Sequence, residues 1–505
     1  MGPLPPTVQG PRYLTGDVQY MNDVDPPDPI TYTQKDWKWF ELPYNGRVLK
    51  YTVAISGRQP ATGYPMFIGL CGGGTDNDPP GLRNTGSWID ASTRYFSIPV
   101  QDQTKAGGVF TTEGAVLVVP RGVSELNNTD SYFLHSEPES YVLIEALIAD
   151  LLQKQPQPVF DNAQKTSTQF NDAAPSLIDP DRVFLTGYSA GGNGVFQLSQ
   201  RILERFAAVN AGAGHPEGTN FKNLANLPIS LQVGELDNYQ DGNRVSHSRS
   251  QVYVKASFDM DTLQNNGVYY IHKCDVVQGQ KHEGPWDQPP PVGNSDAPQS
   301  VLSDLHDWYA DSTHTTVKAR AVTSLNINPF RWFMNPNNVT GFKRTTDPNW
   351  VVWDLGTRPP KPDGVDKALQ LSKPGWQPKR FSYWLYLRDA NADEVTIEAE
   401  YSRGPTSNWI DFKTPQPYVV ILLREDMVDY TKKVDVHVGG QPTGVSFTLT
   451  ANQTIRAETL AARNDPHLVY SAAVYLDQNP NKTWVPRLAT SLATIDVAYT
   501  PAAEL

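Results

Sequence analysis

Short apolar runs punctuated by glycine and proline recur along the chain, and their spacing changes part-way along it. From about residue 47 to 315, β-rich runs of strand length at 48–56, 65–70, 115–120, 183–186, 207–211, 229–233 and 268–272 alternate with segments of helical periodicity. In the segment 140–154 the apolar positions are Val142, Leu143, Ala146, Leu147, Leu151 and Leu152, and 193–206 and 299–309 are similarly amphipathic. Such alternation predicts an α/β unit, a mostly parallel sheet with helices on both faces. After Thr315 the pattern becomes short alternating runs rich in Trp and Tyr, at 350–355, 381–387, 395–401, 418–423, 434–438, 445–449 and 468–476. These predict a second, β-rich unit of sandwich type. The division expected is an N-terminal arm over residues 1–46, an α/β unit over 47–317 and a β-rich accessory unit over 318–505.

Composition narrows the function classes. The chain has 505 residues, with 42 Lys+Arg against 54 Asp+Glu and a net charge of −12, and no basic run of five or more occurs. Binding of nucleic acid by phosphate neutralisation is therefore not expected. No stretch approaches the roughly 20 consecutive apolar residues of a membrane span, so a soluble globular protein is expected. The two cysteines, Cys71 and Cys274, make neither a disulfide framework nor a metal-type Cys/His cluster. The start, Met-Gly-Pro-Leu-Pro-Pro, has no basic and apolar leader pattern, which fits a protein kept where it is made or one whose leader has been removed. No compartment is read from it.

The strongest local signal is Gly187-Tyr188-Ser189-Ala190-Gly191, between an apolar strand pattern and a helical one. Glycines on both sides allow so sharp a strand-to-helix turn that the serine hydroxyl stands exposed above the sheet. A serine hydroxyl attacks only when a base takes its proton, so an acid and a histidine are sought downstream in that order. The run Gly234-Glu235-Leu236-Asp237 follows the strand pattern 229–233, placing Asp237 first as the acid, Asp241 second and Glu235 third.

Of the nine histidines, His135 and His215 precede the acid, His247 precedes the last strand of the unit, and His314, His437 and His467 lie beyond it. His272 falls inside an apolar strand pattern and His306 on the polar side of a helix. His282, in the Gly/Pro-rich run Gln278-Gly-Gln-Lys-His282-Glu-Gly-Pro-Trp, is the expected base. Donors for a developing oxyanion are expected from the amides of Gly72 and Gly73 in Cys71-Gly72-Gly73-Gly74, together with the amide of Ala190.

Together these residues resemble the α/β-hydrolase superfamily over roughly residues 47–315, and most closely its esterase, polyester-depolymerase and prolyl-oligopeptidase-like branches. Many lipases and esterases of that superfamily carry His-Gly-Gly-Gly where this chain has Cys71-Gly72-Gly73-Gly74, so the loop support differs while the amides remain. The resemblance implies a serine hydrolase that needs no cofactor or metal and takes an ester or peptide substrate. No Glu-Glu or Arg pair stands out as an anchor for a peptide amine, which favours esters. A reading of another class is a binding protein whose β-rich unit uses Trp308, Trp332, Trp350, Trp353, Trp376 and Trp384 as a stacking platform, although aromatic residues commonly fill sandwich cores. That unit is also the expected site of any homo-oligomer contact.

Overall fold

The computed structural model describes residues 12–13, 38–44, 47–56, 60–70, 115–120, 138–153, 155–160, 166–171, 178–216, 218–234, 237, 249–265, 270–277, 282, 343–345, 348–355, 380–389 and 395–496. The strands before residue 280 are β1 (Arg12–Tyr13), β2 (Lys38–Tyr44), β3 (Arg47–Ser56), β4 (Tyr64–Leu70), β5 (Ala115–Pro120), the hairpin β6 (Gln155–Phe160) and β7 (Thr166–Asn171), β8 (Ile178–Tyr188), β9 (Ala208–Gly212), β10 (Ile229–Gly234) and β11 (His272–Val277). Three helices lie among them: α1 (Pro138–Gln153), α2 (Ala190–Ile202) and α3 (Arg249–Asn265).

Among the described residues, all of these strands except the hairpin form one sheet in the order β1-β2-β3-β5-β4-β8-β9-β10-β11. From β5 to β11 neighbouring strands run parallel, whereas β1, β2 and β3 pair antiparallel at one edge. This mainly parallel sheet flanked by helices is consistent with the α/β-hydrolase arrangement. Its central strands explain their own composition: every residue of Ala115–Pro120 and of Tyr64–Leu70 is buried, so both faces demand apolar side chains.

Several elements depart from the sequence reading. Strand β2 pairs with β3 residue by residue from Lys38↔Val53 to Tyr44↔Arg47, so part of the expected arm is sheet. Helix α2 begins at Ala190 rather than at 193, because Gly191 and Gly192 are buried against the sheet and tertiary packing overrides their poor helix propensity. Strand β11 starts where the apolar run 268–272 ends, its register set by pairing from Ile229↔His272 to Gly234↔Val277. Buried Tyr270 sits just before it, its hydroxyl donating to the carbonyl of Phe221 at 2.8 Å. Helix α3 has too mixed a sequence to show helical periodicity, yet it buries Tyr253, Val254, Ala256 and Met260. The expected helix at 299–309 lies outside the described residues.

The later strands are β12 (Trp350–Asp354), β13 (Phe381–Ser382), β14 (Leu385–Leu387), β15 (Thr396–Arg403), β16 (Asn408–Phe412), β17 (Val419–Leu423), β18 (Lys433–Val438), β19 (Gln441–Thr448), β20 (Ala472–Gln478) and β21 (Trp484–Leu488), with helix α4 at Gln453–Arg463. They form two five-stranded sheets, β12-β15-β16-β18-β19 and β13-β14-β17-β20-β21, among the described residues. Strand β15 shows the half-buried alternation expected of such a sheet, with Ile397, Ala399 and Tyr401 inward. Trp384, fully buried, meets Tyr401 edge to face at 5.5 Å between centroids, and its Nε1 donates to the Pro348 carbonyl at 2.6 Å. Trp353 is buried as well, and Trp350 is half-buried with Nε1 on Glu398 Oε1 at 2.8 Å. Trp308, Trp332 and Trp376 lie outside the described residues. The tryptophans that can be placed thus include two that fill the core.

This region is joined through β12 to the segment between β9 and β10. Asn223 Nδ2 donates to the Asp354 carbonyl at 3.0 Å, the Asp354 amide donates back to Asn223 Oδ1 at 2.7 Å, and Asn226 Nδ2 donates to the Trp350 carbonyl at 3.0 Å.

Candidate active site

The parallel strands deliver the chain to one edge of the sheet, where their carboxyl ends leave a crevice that loops can line. Ser189 follows β8 directly, Asp237 follows β10, and His282 follows β11. Residues 93 and 45 positions apart in sequence are brought within hydrogen-bond distance there.

The turn at Ser189 is held by its neighbours. Ser189 adopts φ 56° and ψ −119°, a positive-φ conformation costing on the order of 1–3 kcal/mol for a residue with a Cβ. Its amide donates to the Gly212 carbonyl at 2.8 Å, and its carbonyl accepts from the Asn193 amide at 3.1 Å. Glycine is needed on both sides for space: a Cβ at Gly187 would lie 2.2 Å from the Gly191 oxygen, and one at Gly192 would lie 2.4 Å from the Gly212 oxygen. Close approach of α2 to β8 and β9 is what these glycines permit.

Around the hydroxyl, Ser189 Oγ is 3.0 Å from His282 Nε2, and His282 Nδ1 is 2.9 Å from Asp237 Oδ2. Asp237 is 0% exposed and His282 27%, so the carboxylate is out of water while the imidazole remains reachable. Such a chain can draw a proton off the hydroxyl and hold it at the ring, provided Nδ1 donates to the carboxylate and Nε2 is bare. The Ala190 amide opens α2, where a helix leaves its first N–H groups without intrahelical partners and carries a partial positive charge. An anion formed beside Ser189 would face that end. Gly72, Gly73, Asp241, Glu235, His306, His135, His247 and His314 lie outside the described residues.

Three of the other histidines that can be placed are engaged elsewhere. His272 Nε2 is 2.8 Å from Asp261 Oδ1 and its Nδ1 is 3.4 Å from Ser257 Oγ, tying β11 to α3. His437 stacks on Trp409 at 5.5 Å between centroids, and His467 Nδ1 is 3.5 Å from Asp181.

Two side chains at the site escaped the sequence reading. Tyr188, the residue before the serine, stacks on His282 at 5.2 Å between centroids with 20° between ring planes, and its hydroxyl donates to the His282 carbonyl. Its place inside Gly-x-Ser-x-Gly was visible, but nothing in the pattern says where its ring goes. Arg249, the first residue of α3, donates from Nη1 to Asp237 Oδ1 at 2.9 Å. It stands in a polar stretch with no signal of its own. Among the described residues no group of three or more His, Cys, Asp or Glu is placed to hold a metal ion, and no helix is long and apolar enough to cross a membrane.

No family model matches the chain and no curated protein matches it. Solved structures with a similar course include a thermostable esterase, at 19% identity over 48% of this chain and 54% of the other with a TM-score of 0.30. The BES protein from Bacillus cereus matches at 14% identity over 51% of this chain and 93% of the other, TM-score 0.26. A poly(3-hydroxybutyrate) depolymerase from Bordetella parapertussis matches at 16% over 49% and 85%, TM-score 0.32. The chain thus spans about half the length of the thermostable esterase. At these identities and scores the likenesses say nothing of activity, and chemistry has to be read from the site.

Proposed function

We propose that the protein is a serine hydrolase that cleaves carboxylic esters through an acyl-enzyme. The observation that carries this reading is the contact of Ser189 Oγ with His282 Nε2 at 3.0 Å, on a strained turn, with Asp237 Oδ2 2.9 Å from the far ring nitrogen. In the forward step His282 Nε2 takes the hydroxyl proton as Ser189 Oγ bonds to the ester carbonyl carbon, and Asp237 stabilises the imidazolium formed. The carbonyl oxygen, now an anion, is held by the Ala190 amide with a second donor from Gly72 or Gly73. His282 then returns the proton to the departing alkoxide. A water activated by the same nitrogen hydrolyses the acyl-serine and restores the free hydroxyl. No cofactor or metal enters these steps.

In this reading residues 47–317 carry the chemistry, residues 1–46 form an arm that adds strands β1 and β2 to the edge of the sheet, and residues 318–505 form a sandwich-like accessory unit that shapes the mouth of the site or mediates self-association. The test uses the full-length protein with a fluorophosphonate probe, followed by p-nitrophenyl esters beside aminoacyl anilides. Covalent labelling at Ser189 and turnover of the esters are expected. Faster turnover of the anilides would make the protein a peptidase with the same machinery, and absence of any label on folded protein would leave a binding protein.

A further inference from the structure

A fourth side chain is built into the cluster that the hydrolytic reading uses. Arg249 is held at both ends: its amide donates to the Asp237 carbonyl at 2.9 Å, and its side chain, 11% exposed, lies along the same aspartate. Nη1 is 2.9 Å from Asp237 Oδ1 and 2.8 Å from His282 Nδ1, and that same Nδ1 is 2.9 Å from Asp237 Oδ2. Three polar groups on three different segments therefore close a triangle behind the imidazole. We infer that Arg249 is a positioning residue, which fixes the Asp237 carboxylate so that His282 keeps its proton on Nδ1 and presents a bare Nε2 to Ser189; the inference rests on the hydrolytic reading.

Donors and acceptors decide the state of this triangle. A carboxylate taken wholly out of water is unfavourable unless both oxygens find donors. With Oδ1 engaged by a guanidinium, Oδ2 is left facing Nδ1 and the carboxylate cannot rotate away. The ring nitrogen in turn has two possible states: protonated, it donates a hydrogen bond to Asp237; bare, it accepts one from Arg249; it cannot do both. The first state leaves Nε2 free to take the serine proton. The second puts the proton on Nε2, which can then only donate to Ser189 Oγ, and the base is lost. A guanidinium is a permanent cation, so the state in which Nη1 donates to Oδ1 and an Nδ1–H donates to Oδ2 gives the anionic Asp237 a donor on each oxygen and a cation beside it. Loss of Arg249 removes that constraint, and the carboxylate can turn and release the ring.

The experiment uses the full-length protein and saturation kinetics on p-nitrophenyl butyrate. Arg249→Ala should lower kcat about 100-fold, the scale of a misplaced catalytic group, with KM close to wild type. Millimolar guanidinium chloride should restore part of kcat, and sodium chloride at equal ionic strength should not. With 15N-labelled histidine, wild-type His282 should show a protonated Nδ1 and an unprotonated Nε2, and Arg249→Ala a mixture of the two tautomers. Arg249→Lys keeps the charge but not the planar donor geometry and should lose about tenfold in kcat. Should the alanine variant fail to fold, the lysine variant decides alone: wild-type kcat in it overturns the inference. So does a loss in Arg249→Ala that guanidinium does not relieve while the tautomer stays unchanged. If fluorophosphonate leaves wild-type Ser189 unlabelled, it is the hydrolytic reading that fails, and the tautomer signal still reports on Arg249 separately.

Discussion

Clusters of ionised side chains lie near both ends of helix α2, which is about 20 Å long at 1.5 Å per residue, and the two are built differently. At its start Asp237, Arg249 and His282 gather beside Ser189, with the imidazole partly open to solvent. At its far end Glu204 and Arg205 meet Arg344, Arg463 and Asp465 from the later part of the chain, each of these side chains at most 2% exposed. Arg205 Nη1 lies 2.7 Å from Asp465 Oδ2, Arg344 Nη2 lies 3.0 Å from Asp465 Oδ1, and Arg463 Nη2 lies 2.9 Å from Glu204 Oε1. Arg205 also pairs with Glu145 of α1 at 2.7 Å.

Burial alone would push the Asp465 carboxyl up, but hydrogen bonds and charge from Arg344 and Arg205 outweigh it and hold the group far below the usual carboxylate range. Desolvation likewise opposes the charge on Arg205, and Glu145, Asp465 and Glu204 reverse it. The comparison teaches that strong mutual perturbation of charges does not by itself mark chemistry. The far cluster is closed, cross-paired and without a nucleophile, so it serves to join the main sheet to the later β-rich region. The near cluster has a neutral hydroxyl and a ring that can change protonation state.

Substitutions should separate the two ends, starting with the largest effect. Ser189→Ala is expected to lower kcat/KM on an activated ester by between about ten thousand- and a million-fold, with no fall in the thermal midpoint, read by initial rates and calorimetry. Asp465→Ala should do the converse. It strands buried guanidinium groups and should cost about 3–5 kcal/mol in denaturant unfolding, with kcat/KM per folded molecule unchanged. Lost activity at full stability in that variant would erase the distinction between the two ends.

Gly192→Ala should mix the two outcomes. Its Cβ would fall 2.4 Å from the oxygen of Gly212, the same oxygen that holds the Ser189 amide. A stability loss of roughly 1–3 kcal/mol is expected, together with a lower kcat as the turn is displaced. Unaltered stability and kcat would mean that α2 is not seated against β9.

The smallest effect is in acid. Because the folded-state pKa of Asp465 is lowered, the unfolded chain takes up the proton first as pH falls. The contribution of Asp465 is therefore complete above its unfolded pKa of about 4 and is lost as pH drops from there toward the folded value. Urea unfolding at successive pH values should show wild type converging on Asp465→Asn below about pH 4. A gap that widened with acid would contradict the sign.

Parts of this architecture were legible in the sequence for simple reasons. Buried parallel strands such as Ala115–Pro120 must be apolar throughout, and a sharp strand-to-helix turn needs small residues, so β5 and the Ser189 turn announce themselves. Helix α3 did not, because one face packs on the sheet through scattered residues while polar groups interrupt the period. Strand β11 was displaced by several residues, since its start is set by pairing with β10 and not by where apolar residues begin. Asp237 and His282 could be ranked from their place after strands, whereas Tyr188 and Arg249 could not be recognised, because their roles lie in contacts with residues far away in the chain.

The order of residues along the chain was enough to determine the layered α/β region, the β-rich character of the remainder and the position of the sharp turn, all of which follow from local periodicity and steric limits on the backbone. Which carboxylate and which ring meet above the sheet, which arginine braces them, and which charges lock the later region onto the far end of α2 were decided only in three dimensions. Those contacts join segments tens to hundreds of residues apart, and a hydrogen bond or an ion pair depends on distance and direction in space, quantities that the spacing of residues along a chain does not contain.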